Sequence, residues 1–153
     1  MFDMQRIFHT GIVVHDLQAA MSELGASMNL QWTQVRRFDP LPFWTPEKGL
    51  HDITVEAVYS KQGPHHLEIC VGPKGSFYDP DVFPDGRHIG VWVDDLAAEM
   101  EKLLGLGWKI CGAGGTPEQG YGVLAYVSPP TAGFVVELVS AALKPAIDDW
   151  LAS

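Results

Sequence analysis

His9-Thr-Gly-Ile-Val-Val-His-Asp-Leu-Gln-Ala-Ala-Met-Ser-Glu-Leu24 aligns without a gap on His88-Ile-Gly-Val-Trp-Val-Asp-Asp-Leu-Ala-Ala-Glu-Met-Glu-Lys-Leu103, with eight identities in sixteen positions. Each copy starts with a β-branched stretch, meets an Asp suited to capping a helix, and continues with apolar residues at helical spacing, Leu17, Met21 and Leu24 or Leu96, Met100 and Leu103. A strand feeds a helix, twice. An internal repeat of this kind decides the fold before any other feature is read.

A second correspondence lies downstream, where 54–71 (TVEAVYSKQGPHHLEICV) aligns on 123–140 (VLAYVSPPTAGFVVELVS). Both copies read as hairpins, turning at Lys61-Gln-Gly-Pro64 and at Pro129-Pro-Thr-Ala-Gly133. With 30–38 and 108–111 as further strands, each copy is expected to be a β-α-β-β-β module. The first module spans 6–71 and the second 87–140, joined by the proline-bearing linker 72–86 and closed by a helix over 141–152, all within one domain of 153 residues. The first correspondence runs at an offset of 79 residues and the second at 69, so module 1 holds ten extra residues. They fall around 39–49 (DPLPFWTPEKG), whose prolines and aromatics predict a stiff flap over a pocket.

Ten Lys and Arg against nineteen Asp and Glu give a net charge of −9, which argues against nucleic acid or an anionic membrane surface as a partner. No apolar run approaches the ~18 residues of a membrane span, and the first residues lack a basic-then-apolar leader, so a cytoplasmic location is expected. Cys70 and Cys111 are too few for a disulfide framework.

Glu137 sits in Phe134-Val-Val-Glu-Leu-Val139 and shares a strand face with Val135 and Val139. Burying that carboxylate unpaired is costly, so its site needs a cation, a proton or a donor. Glu68 in His65-His-Leu-Glu-Ile-Cys70 holds the equivalent place in module 1, and His9 and His88 are equivalent near the start of each module's first strand. Two neutral imidazoles and two carboxylates form a neutralising cage for one divalent ion, and the ligand types leave Zn, Ni, Co, Mn and Fe open. His66 and Cys70 share the face of Glu68, while Val13 and Trp92 share the faces of His9 and His88; these four, with Phe43 and Trp44 of the flap, are expected to line a substrate pocket. Trp32 would add to its apolar wall. His51 and Glu56 are acid-base candidates, equally well explained as solvated strand ends.

The halves HTGIVVHDL and HIGVWVDDL, each ending in a strand with Glu (HHLEIC and FVVELV), resemble the vicinal oxygen chelate superfamily of glyoxalases, bleomycin-resistance proteins and dioxygenases, closest to its glyoxalase I and methylmalonyl-CoA epimerase-like branch. The resemblance covers nearly the whole chain. It implies an α+β fold in which paired β-α-β-β-β modules curve a mixed sheet into a cup around a metal, with His9, Glu68, His88 and Glu137 as ligands, and it implies a homodimer. Epimerases of the family commonly carry Gln where this chain has Glu68, whereas two His and two Glu are similar to bacterial glyoxalase I. The implied activity is that of a metal-dependent isomerase or lyase acting through an enolate on a small substrate with vicinal oxygens, Glu137 or Glu68 moving the proton. The alternatives are an Fe-dependent extradiol dioxygenase, which would leave the Glu68 position free, and a metal-free sequestration protein of the bleomycin-resistance type.

Overall fold

The computed structural model describes residues 2–131 and 133–153, with Asp85 described by its backbone alone; Met1, and Ala132 in the second hairpin turn, lie outside the described residues. Module 1 comprises β1 (Ile7–Val13), α1 (Leu17–Met28), β2 (Arg36–Thr45), β3 (Gly49–Tyr59) and β4 (His66–Val71). Module 2 repeats the order as β5 (Arg87–Val93), α2 (Leu96–Gly105), β6 (Lys109–Ala113), β7 (Leu124–Ser128) and β8 (Val135–Ser140), and α3 (Lys144–Leu151) follows. The β-to-α junctions use the repeated Asp as expected: Asp16 accepts from the Ala19 N–H at 2.9 Å and Asp95 from the Ala98 N–H at 3.0 Å, satisfying donors a helix start leaves free.

The eight strands form one mixed sheet in the order β1-β4-β3-β2-β6-β7-β8-β5, curved until it closes on itself. The modules join where β1 runs antiparallel to β5, and within each module the first strand is parallel to the last. Closure on the far side rests on one bridge, Trp44 to Ala113. The outer face is covered where α1 packs Leu17, Met21 and Leu24 over Val58 and Ile69, and where α2 packs Leu96, Met100 and Leu103 over Val91, Val127 and Leu138. The inner face encloses the site.

Two expectations need correction. The segment 39–49 is not a flap: it is the far half of β2 and its turn into β3, paired from Leu41–Ile53 to Thr45–Gly49. The ten extra residues lengthen the β2–β3 hairpin. The prolines are tolerated because Pro40 and Pro42 face outward, because the register slips between Phe38 and Leu41, and because β2 meets β6 only at Trp44, so most of it is effectively an edge strand. The slip also flips the parity of inward side chains, from Arg36 and Phe38 to Leu41 and Phe43. The strand starts at Arg36 rather than at residue 30, and Trp32 makes only an isolated bridge to Ser60.

The linker is likewise more than a connection. Phe77, Tyr78 and Phe83 from it are buried against Phe43 and Tyr126 and fill one side of the cup. Cys70 and Cys111 are both free thiols. No helix among the described residues is long and apolar enough to cross a membrane.

Candidate metal centre

The register of β1 on β5 places His9 opposite Gly90 and His88 opposite Gly11. Each imidazole lies where a Cβ on the opposing glycine would stand, and an alanine at either position would collide with the ring. The repeated His-x-Gly therefore works reciprocally: each module supplies one ring and the gap that admits the other. Glu68 enters from β4 beside β1, and Glu137 from β8 beside β5.

The four side chains converge. His9 Nε2 stands 3.2 Å from His88 Nε2, Glu137 Oε2 is 3.1 Å from both nitrogens, and Glu68 Oε1 is 3.3 Å from His88 Nε2 and 3.6 Å from His9 Nε2. One ligand atom from each lies within 4.8 Å of every other. All four residues are buried, His9 completely. Burial alone would push His88 down, but the carboxylates of Glu137 at 3.1 Å and Glu68 at 3.3 Å raise it to about 9. Burial would push both carboxylates up, and the two histidines hold each below its ordinary range.

The donor set fits a divalent ion. Ligand atoms about 2.0–2.2 Å from one ion stand roughly 3–3.5 Å from each other, and the contacts that each imidazole Nε2 makes in the cluster, 3.1–3.6 Å, are close to that spacing. Glu68 Oε1 is buried without a hydrogen-bond partner, although two imidazole nitrogens lie close by. Behind the cluster, Nδ1 of His9 and of His88 has no hydrogen-bond partner. Rings take that place: Phe8 and Tyr59 flank His9, and Phe83 and Tyr126 flank His88. Packing rather than an outer hydrogen bond orients these imidazoles, unlike the usual arrangement in metal sites.

Glu68 and Glu137 form the floor of a cavity of about 250 Å³ whose walls are mainly apolar, including Phe38, Leu41, Val55 and Trp150. Three tyrosines, Tyr59, Tyr78 and Tyr126, face it, and the hydroxyls of the last two bond each other at 2.7 Å. Of the residues expected to line a pocket, Cys70 does so. The others lie elsewhere, each for a local reason. Trp92 stacks on Phe8 at 4.0 Å, Phe43 is locked against Phe77 and Tyr78, and Val13 belongs to the same buried cluster. Trp44 packs with the cluster under α2, and Trp32 joins the one under α1, its indole donating to Met21 O. His66 turns back on the β3–β4 connection, its Nδ1 at 2.8 Å from Ser60 O. Neither acid-base alternative faces the cavity: Glu56 pairs with Arg37 on the outside at 3.5 Å, and His51 Nδ1 is 2.8 Å from Gly49 O.

Arg36 also lines the cavity, and Tyr59, Tyr78, Tyr126 and Trp150 are cavity residues the sequence did not single out. Only the parity of β3 could have pointed to Tyr59; Tyr78 lies in what reads as a linker.

A sequence model of the glyoxalase/bleomycin resistance protein/dioxygenase superfamily matches residues 8–126, most of the chain, from β1 through module 1 and into β7 of module 2. The chain belongs to this superfamily. Its fold is similar to that of several solved structures. These include methylmalonyl-CoA epimerase from Mycobacterium tuberculosis (16% identity, TM-score 0.58, covering 96% of this chain and 97% of that one). Another is a variant of the Streptomyces coelicolor methylmalonyl-CoA epimerase in complex with 2-nitronate-propionyl-CoA (19% identity, TM-score 0.56, 90% and 97% covered). A third is a hypothetical protein from Bacillus halodurans (17% identity, TM-score 0.56, 88% and 92% covered). At these identities the likeness is one of fold. No curated protein matches the sequence significantly.

Proposed function

We propose that His9, Glu68, His88 and Glu137 hold one divalent metal ion and that the protein is an isomerase or lyase acting on a small substrate with adjacent oxygens. The observation that carries this reading is the convergence of four ligand atoms within 4.8 Å at the floor of an apolar cavity. A divalent ion held by these four residues would supply Lewis acidity to a substrate carbonyl. The chain's own residues do the rest. The apolar walls exclude water and so strengthen each electrostatic contact inside. Glu137, or Glu68 across the site, takes the proton from the carbon next to the carbonyl and returns it to the product. Among the described residues no other carboxylate or histidine faces the cavity to compete for that role. The epimerases of similar fold make acyl thioesters natural first candidates, beside 2-hydroxyketones and 2-oxo acids.

The test is proton exchange. Metal-loaded protein incubated in D2O with a panel of those three compound classes should place deuterium on the carbon next to the carbonyl of at least one. Glu137→Gln should slow that exchange by about 10²-fold to 10⁴-fold even at saturating metal. Failure of every class to exchange, with metal shown to be bound, would remove the enolate reading.

A further inference from the structure

The metal cluster explains the floor of the cavity but not its lip. Arg36 is the one cation among the described residues that line the cavity, in a wall otherwise apolar or tyrosine-bearing above two glutamates. It lies on β2 opposite Ala57, whose small side chain leaves room beside it. Its guanidinium carbon stands 4.8 Å over the Trp150 ring centroid, and that ring is fixed by an indole N–H donated to Gln34 O at 2.8 Å. Stacking uses the face of the guanidinium and leaves its N–H edges for an acceptor. None of the carboxylates of the described residues forms an ion pair with it. The contrast with its neighbour is direct, since Arg37 points to the opposite face and pairs with Asp39 at 3.3 Å and Glu56 at 3.5 Å. In a chain with nearly twice as many acidic as basic residues, a cation left without a carboxylate at a cavity mouth needs a function.

We infer that Arg36 is a specificity-determining residue that binds an anionic group, carboxylate or phosphate, on a compact substrate with an apolar body. The inference takes from the proposed function only that this cavity is the substrate cavity. The apolar body fills the space between Leu41, Val55 and Trp150, and the anion meets the fork of Arg36 at the lip. A floor of two carboxylates sends such a molecule in with its neutral, oxygen-bearing end first, so Arg36 fixes orientation as well as affinity.

The test uses calorimetric titration of full-length, chelator-treated protein with phenylacetate, phenyl phosphate and the neutral isostere phenylacetamide. Removing metal ensures that neither anion is captured at the floor. At least one anion should bind about 10-fold to 100-fold more tightly than the amide, the range expected of a hydrogen bond to a charged group. Arg36→Met should abolish that advantage while leaving the amide unchanged, and Arg36→Lys should keep part of it. Which anion binds better separates a carboxylate from a phosphate substrate. Should the methionine variant fail to fold, Arg36→Gln carries the same comparison. Equal binding of anions and amide, an advantage surviving Arg36→Met, or no binding of any of the three would overturn the inference. Metal content is measured separately, so failure here is distinguishable from failure of the metal assignment.

Discussion

His9 and Gly90, with His88 and Gly11, are the residues on which the site turns. Gly90→Ala or Gly11→Ala should drive a ring out of the cluster, reducing bound metal and costing about 1–3 kcal/mol by overpacking. Elemental analysis and denaturant melts of the two variants check this, and full metal occupancy in either would show that the rings have room the structure does not give them. A second expectation at this scale concerns pH. In metal-free protein His88, raised from 6.5 to about 9, contributes stability that is complete below pH 6.5 and lost as pH rises through about 9. Glu137 and Glu68, depressed from 4.5, contribute stability present above that value and lost as pH falls. Denaturant melts of chelator-treated protein should therefore weaken toward pH 9.5, over the range where metal affinity rises because the ion displaces the His88 proton. A profile level from pH 6 to 9.5 would contradict the ion-paired cluster. The convergence of His9, Glu68, His88 and Glu137 was legible in the sequence because buried carboxylates in apolar strands at repeated positions have few alternative explanations. Their outer nitrogens were not, because ring packing across strands leaves no local pattern.

At the scale of elements, the repeat and its Asp caps were readable because both are local chemistry, and the strands and helices of the two modules follow the expected order. β2 was misread for a physical reason. Proline lowers strand propensity wherever a ladder hydrogen bond is needed, and sequence alone does not show that β2 lacks a neighbour along most of one side. Its inward residues Leu41 and Phe43 carry the correction. Phe43→Ala should lower stability by about 3–5 kcal/mol, as for other fully buried rings, whereas Pro42→Ala on the exposed side should be near neutral. Equilibrium unfolding in urea measures both. A small cost at Phe43 would return the segment to the status of a surface flap.

Across the whole molecule, duplication brings together at one seam what each module holds only in part: one His, one Glu and one glycine gap. The aromatic linker then fills half of the cup, and α3, through Trp150, walls the other half, so the cavity left open is small and apolar with the cluster beneath it. That enclosure was not legible because it depends on Phe77, Tyr78 and Phe83, whose segment carries the proline and glycine content of a connection. The central claim is that the seam holds one metal ion per chain. Protein purified without chelator or a metal-affinity tag should contain about one divalent ion per chain by elemental analysis. It should also melt at a higher temperature than after chelation, with a stabilisation of about 2.7 kcal/mol at a hundredfold excess of metal over its dissociation constant. No stoichiometric metal, with superimposable melting curves before and after chelator, would contradict it.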